Sequence, residues 1–357
     1  MIEELFSSFF TSLVLTFVIV PSLITVAKVK NLFDEPNDRT SHSGSIPTLG
    51  GVAFYVSLVF SLTFWVDFSS GSVIQFVIAA MTIVTFIGLK DDLLGVEAFH
   101  KLVGQMFAAI VLVIWADIRI TSLYGIFGVN ELPYIISVIF TIFTILVIVN
   151  SFNLIDGING LSASIGIVSS LTFGVWFYLI DENSEMAILA FTMIGALVSF
   201  LRYNLSPSKI FMGDTGSLLL GIVMSVLAIK IIELNGHADS PYVFQSGPAI
   251  AMGIIGYPLF DLLRSFSIRI AKGHSPFKPD RNHIHHLLLD NGFSHDVSTV
   301  IIVLFNILLI SLIFSFSNLG NYILGFIIVG LSITFASTLK YFAKKKKKVE
   351  QSVSKDA

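Results

Sequence analysis

Eleven apolar runs divide the 357-residue chain, at positions 5–27, 46–66, 72–89, 102–119, 133–149, 161–180, 186–203, 216–234, 248–268, 297–316 and 321–342. Each is close to the roughly 20 residues that a helix needs to cross a hydrocarbon layer. Lipid offers no partner to backbone polar groups, so a spanning segment is a helix or part of a closed barrel. The runs lack the period-two alternation over about ten residues that a barrel strand carries. The expected fold is therefore an all-α polytopic integral membrane protein with about eleven transmembrane helices. Composition excludes the alternatives. With 54% hydrophobic and 13% charged residues and a mean hydropathy of +0.86, the chain stands well apart from soluble domains, which are about 25% charged. The absence of cysteine removes disulfide scaffolds and thiolate metal sites together. The acidic start MIEEL, with no small-residue cleavage site after its apolar run, reads as a retained span and not as a signal peptide.

Basic residues gather on the cytoplasmic side of membrane proteins. With the N-terminus outside, 19 of the 21 Lys and Arg residues fall on inside connections or the C-terminal tail, leaving only Arg119 and Lys230 near the outer ends of spans. The expected topology is N-out and C-in, with one transmembrane domain over 1–343 and a basic, unstructured tail over 344–357. The Lys344–Lys348 run is expected to act as an orientation anchor, with anionic-lipid binding as the alternative.

Five polar clusters interrupt the apolar pattern, and the topology places all of them inside: 34–51, 88–95, 150–162, 202–217 and 276–292. Ionisable residues at membrane depth are costly and mark functional positions. Five such clusters on one face predict one shared site at the cytoplasmic membrane surface. Asp91 and Asp92 follow an apolar run directly, and neighbours on a helix point about 100° apart, so the two carboxylates can serve different partners. Asn150, Asn153 and Asp156 recur every three residues and share a helix face. Their oxygens suit a hard cation such as Mg²⁺, which keeps waters and borrows phosphate oxygens. Asp214 lies between Gly213 and Gly216 just before an apolar helix whose N–H groups are expected to favour an anion, with Thr215 or Ser217 as the cap. Phe211 is a candidate for stacking on a flat ring.

In the last cluster, a helix would put His283 and His286 on one face and His285 on another. With Arg281 nearby, contacts to a diphosphate are the favoured reading, with a zinc site or an ordinary interfacial loop as alternatives. No phosphate-binding P-loop, dinucleotide fingerprint, zincin or serine-hydrolase motif is present, so ATP-driven pumping, dinucleotide redox and serine hydrolysis have no support.

Taken in order, the clusters DEPNDRTSHSGSIPTLGG, GLKDDLLG, NSFNLIDGINGLS, RYNLSPSKIFMGDTGS and PFKPDRNHIHHLLLDNG resemble the polyprenyl-phosphate N-acetylhexosamine-1-phosphate transferases (glycosyltransferase family 4). The H-x-H-H pattern of His283–His286 resembles the branch that transfers N-acetylglucosamine-1-phosphate. The resemblance implies transfer of a sugar-1-phosphate from a UDP-sugar to a polyprenyl phosphate such as undecaprenyl phosphate, with release of UMP. This is the initiating lipid-linked step of cell-surface polysaccharide synthesis, at the plasma membrane with a cytoplasmic active site. It implies Mg²⁺, or Mn²⁺, as cofactor, held by Asp214 and Asn153 with Asp92. It implies catalytic roles for Asp91, Asp92, Asp156 and Asp214, the first two orienting or deprotonating the lipid phosphate. Substrate contacts implied are Arg39, His42, Lys101, Asn150, Asn159, Asn204, Phe211, Gly213, Arg281, His283, His285 and His286. A homodimer is compatible with the family, and no nucleic-acid partner is implied. One position departs: the family reads D-G-L-D-G where this chain has Asp156-Gly157-Ile158-Asn159-Gly160, so Asn159 has lost a charge that helps to recognise uracil. Two other classes compete. A transporter or flippase of a lipid-linked sugar would place charges at the bilayer midplane in paired halves. A catalytically inactive scaffold is suggested by Asn159 alone.

Overall fold

The computed structural model of the protein describes residues 2–32, 46–68, 71–180, 184–237, 240–275 and 281–356; Arg39 and His42 lie outside them. The described chain is a helical bundle, with no β-strand beyond isolated bridges. Each of the eleven apolar runs falls on a helix or a broken pair of helices: α1 (Ile2–Lys30), α2 (Gly50–Trp65), α3 (Ile74–Leu94), α4 (Ala98–Ile110, continued by a π-helical turn to Trp115), α5 (Tyr134–Ile155), α6 (Leu161–Ile180), α7 (Glu185–Asn204), α8 (Gly213–His237), the pair α9 (Gly247–Ile254) and α10 (Gly256–Ala271), α12 (His295–Ser315) and α13 (Asn321–Asp356). A short helix, α11 (Ile284–Asp290), carries the histidine motif. Eight of the described helices are long and apolar enough to cross a membrane, and a ninth crossing results if the broken pair counts as one. The protein is thus a polytopic helical membrane protein.

Three details differ from expectation. The run 248–268 is two helices bent by 82° at Ile255. Pro258 explains the break, because its ring excludes the carbonyl four residues earlier. That carbonyl, of Ile254, instead accepts from Ser169 Oγ (3.0 Å) and Asn306 Nδ2 (3.2 Å), while Asn306 Oδ1 accepts the Tyr257 N–H (3.2 Å). The helix expected to reach 119 stops at Trp115. Asp117 then turns the chain with a positive φ, and Arg119 pairs with it at 2.5 Å while lying over the Tyr134 ring. Finally, α13 continues through the lysine run to Asp356 as helix, where an unstructured tail was expected.

The hydrophobic pattern sets the layering. Helix α8 is apolar on every side, so it is the core: 83% of its apolar window is buried, against 17% for α1 and 22% for α13 at the periphery. The peripheral helices leave Phe6, Phe10 and Phe17 of α1 and Phe326 and Ile333 of α13 exposed, an outward apolar surface of the kind that lipid covers. Around the start of α8, glycines let three backbones approach. A Cβ on Gly88 of α3 would stand 2.5 Å from Thr215 Cα, and one on Gly216 would meet the Gly51 backbone of α2 at 3.0 Å. These crossings bring the C-terminal end of α3 and the N-terminal ends of α2 and α8 to one point, and the site is built there.

Candidate active site

Segment 47–51 lies beside the entry to α8. Phe211 N–H donates to Pro47 O (2.8 Å), and Gly50 and Gly51 donate to the carbonyls of Phe211 and Met212. Gly213 then turns the chain into α8 at φ +70, with the Asp92 carboxylate so close that a Cβ would stand 2.6 Å from one of its oxygens. That carboxylate is the helix cap. Asp92 Oδ1 accepts the Asp214 N–H (2.8 Å), and Oδ2 accepts both the N–H (3.0 Å) and the Oγ–H (2.6 Å) of Thr215. The N–H groups of Asp214 and Thr215 in the first turn of α8 are therefore satisfied by one carboxylate from α3. This corrects two expectations: the α8 terminus is not open to an external anion, and neither Thr215 nor Ser217 caps it. Asp92, expected among the metal ligands, has both oxygens committed to α8.

Asp214 turns the other way. Its carboxylate accepts from Asn153 Nδ2 (2.6 Å) and is paired with the Lys101 ammonium. Lys101, from the first turn of α4, also reaches Asp91 Oδ2 at 3.1 Å, while Asp91 Oδ1 accepts the Val96 N–H (2.6 Å). One ammonium thus sits between two carboxylates, with side chains only 15–27% exposed. Asn153 gives its second donor hydrogen to Ser217 Oγ (2.9 Å), so only its oxygen remains to offer a ligand. Burial, reinforced by Asp214 and Asp92, holds the Asp156 carboxyl well above the usual carboxylate range. Asp156 stands just past the end of α5 (φ −78, ψ 41).

The histidine motif abuts this network. A Cβ on Gly157 would stand 2.5 Å from His285 Nε2. The three rings lie together, with centroids 5.6 Å (His283–His285), 4.2 Å (His285–His286) and 6.4 Å (His283–His286) apart. His285 does not point elsewhere, because His283 is the N-cap with extended backbone (φ −63, ψ 151) and not a residue of the helix. Burial, with the neighbouring His286 and His283, holds the His285 ring well below its ordinary value. Burial and Arg281 push His286 down to about 4. Among the described residues, no group of three or more His, Asp or Glu side chains is arranged to hold a metal. The donors that converge on Lys101 are carboxylate and amide oxygens, the chemistry that suits a hard cation sharing its shell with phosphate and water.

Other expected residues fall outside the network. Asn150 Nδ2 donates to Gln105 Oε1 (2.7 Å) and Leu146 O (2.8 Å), tying α5 to α4. Asn204 is 4% exposed, with both ends of its amide spent on Gly160 N–H (2.8 Å) and Ile210 O (2.9 Å). It joins two loops. Asn159 donates to Ser206 Oγ (2.9 Å). Arg281 is about half exposed and reaches Asp290 at 4.0 Å. Phe211 is half-buried. Reasoning from sequence missed Gln105, Asp261 and Arg269. An acid in the apolar stretch PLFDLLRS was the available signal for Asp261.

A helical membrane bundle with a carboxylate, lysine and amide network at converging helix ends is suited to binding phosphate oxygens. Residues 74–232, which run from α3 through α8 and contain the whole network, match the model of glycosyl transferase family 4, and this defines the protein as a membrane sugar-phosphate transferase. The chain is 31% identical over 344 residues to the undecaprenyl-phosphate alpha-N-acetylglucosaminyl 1-phosphate transferase of Escherichia coli O157:H7, covering 90% of this chain and 89% of that one. It is 29% identical over 340 residues to the enzyme of the same name from Yersinia pestis, covering 91% and 90%. It is 29% identical over 284 residues to the decaprenyl-phosphate N-acetylglucosaminephosphotransferase of Mycobacterium leprae (strain TN), covering 73% and 70%. The chain belongs to glycosyl transferase family 4, the polyprenyl-phosphate N-acetylhexosamine-1-phosphate transferases.

Proposed function

We propose that the protein transfers N-acetylglucosamine-1-phosphate from UDP-N-acetylglucosamine to undecaprenyl or a related polyprenyl phosphate, releasing UMP and initiating a lipid-linked polysaccharide. The observation that carries this reading is the Lys101 ammonium held between Asp91 and Asp214, inside the matched segment and beside the buried histidines. An oxygen of the lipid phosphate attacks the β-phosphorus of the donor. The bond from that phosphorus to the bridging oxygen breaks, and UMP leaves with that oxygen. Charge and atoms balance without a covalent enzyme intermediate, and positioning plus electrostatics supply the catalysis.

Lys101 meets the lipid phosphate, and Asp91 orients the ammonium and accepts a proton from the phosphate when it arrives protonated. Asp214, whose two oxygens face the Asn153 amide nitrogen and the Lys101 ammonium, is the residue that would hold Mg²⁺ or Mn²⁺ if the ammonium gives way to the ion. That ion supplies neutralisation of the diphosphate and of the charge growing on UMP. Asp92 acts on the reaction by locking the start of α8 so that Asp214 faces the substrates. His285 and His286 face the donor from the other side of the 156–160 loop, with Arg281 at the rim; Asn159 and Phe211 edge the nucleotide.

The membrane is the cytoplasmic one, with eleven crossings, the N-terminus outside and the site inside. The placement of 19 of 21 basic residues supports this, and a homodimer is the assembly that we favour. The test uses purified protein, polyprenyl phosphate, Mg²⁺ and a panel of UDP-sugars, with UMP measured. UMP release requiring both lipid and metal is expected, fastest with UDP-N-acetylglucosamine; no UMP from any sugar refutes the reading. A reporter fused after Ala357 tests the topology, and an extracytoplasmic signal refutes it.

A further inference from the structure

Within the histidine motif the three rings are not equivalent. His283 is 4% exposed, and both of its nitrogens are engaged. Nδ1 lies 2.8 Å from Asp261 Oδ2, and Nε2 lies 3.3 Å from an Arg269 nitrogen. An ionised carboxylate only accepts, so Asp261 fixes the proton on Nδ1 and directs the Nε2 lone pair at Arg269. Asp261, on α10, is fully buried, and its other oxygen accepts the Ile284 N–H at 2.8 Å. One carboxylate therefore holds both the ring before α11 and the first N–H of α11. A buried charge in an apolar helix persists only when it is paired and hydrogen-bonded, and Arg264 stands 3.9 Å from Asp261 Oδ1 as its counter-charge. His285 and His286 differ. Both are at least nine-tenths buried, yet their Nδ1 atoms have no hydrogen-bond partner among the described residues, and His285 borders Gly157.

From this geometry we infer that Asp261, His283 and Arg269 form a buried anchor that positions α11. His283 is a positioning residue, and donor recognition by the motif falls to His285 and His286. The inference rests on the transferase reading.

The test is a comparison of substitutions in the full chain, read by UMP release with UDP-N-acetylglucosamine and polyprenyl phosphate and by melting temperature. An Asn amide can donate to Asp261 from about the position of Nδ1, so His283→Asn should keep kcat/KM within about tenfold of wild type, whereas His283→Ala loses roughly 100-fold through misplacement of α11. His285→Asn, which has no anchor to restore, should be as impaired as His285→Ala. Asp261→Asn should match His283→Ala, and the double variant should be no worse than either single one, as for residues that act as a unit. A folded His283→Asn as inactive as His283→Ala overturns the inference, as does a multiplicative loss in the double variant. If His283→Ala does not accumulate, the activity of His283→Asn decides alone. Absence of UMP from wild type instead refutes the transferase reading, and the same cycle in melting temperature still reads the coupling of Asp261 to His283.

Discussion

Exchanging Asp92 for Asn separates a structural carboxylate from a reacting one. Asp92 accepts three hydrogen bonds at the start of α8, from Asp214 N–H (2.8 Å), Thr215 N–H (3.0 Å) and Thr215 Oγ–H (2.6 Å). Asn keeps one acceptor oxygen and sets an NH₂ against a backbone N–H. A lost charge-assisted bond costs about 1.5–3 kcal/mol, and a donor left facing a donor about 1–3 kcal/mol. Loss of the negative charge at the helix N-terminus adds about 0.5–1 kcal/mol. These contributions overlap, and the site is half-buried, so a net loss of about 3 kcal/mol is expected. At roughly 2 °C per kcal/mol for a chain of this size, the melting temperature should fall by about 6 °C. Asp91→Asn is the control. It keeps an acceptor for the Val96 N–H and leaves Lys101 paired with Asp214, so stability should fall by less than in Asp92→Asn while turnover collapses. Thermal unfolding in detergent, paired with UMP release on the same preparations, measures both. If Asp92→Asn melts with wild type but is inactive, Asp92 is a direct ligand of substrate or metal and the capping argument is wrong.

Lys101→Met removes the cation between Asp91 and Asp214; activity should be lost, and Mg²⁺ should raise the melting temperature of the variant more than that of wild type. An equal Mg²⁺ shift in both proteins counts against a cation site there. Gly213→Ala combines a left-handed backbone with a Cβ pressed on Asp92, at about 1–3 kcal/mol for each effect. The variant should accumulate poorly, and a Gly213→Ala protein as stable and active as wild type contradicts the close approach. Asn159→Asp restores the charge of the family pattern and should change the KM for the UDP-sugar more than kcat; a large change in kcat at constant KM argues against a binding role. His286 is held neutral, down to about 4, whereas an unfolded histidine takes its proton near 6.5. The stability that its neutral burial provides is therefore whole above about pH 6.5 and is lost as pH falls towards 4. His286→Gln should flatten that part of the melting-temperature profile, and an unchanged profile rejects the assignment.

The bundle was legible because lipid enforces a simple rule: a long apolar run is a helix. Each of the eleven runs falls on one or on a broken pair. The break at Ile255 was not legible, since proline is common enough in membrane helices and the groups that satisfy the freed polar atoms, Ser169 and Asn306, come from distant segments. The site was legible as a set of polar clusters, and Asp91, Asp92, Lys101, Asn153, Asp156 and Asp214 do meet. What each does was not, because roles are decided by partners across the fold. Asp91 and Asp92 are adjacent, yet one faces Lys101 and the other caps α8. Asn150 and Asn153 share a helix face, yet Gln105 claims one and Asp214 the other. His283 is set apart from His285 and His286 by Asp261 of α10, a residue 22 positions away in sequence.

The proposed reaction is phosphoryl-sugar transfer, and the position of a phosphorus label reads it. With UDP-N-acetylglucosamine labelled at the β-phosphorus, polyprenyl phosphate and Mg²⁺, the label should move into the organic-extractable lipid; with the α-phosphorus labelled, it should remain in aqueous UMP. Movement of the sugar while both labels stay in UDP, or no movement of either label, would contradict the assignment.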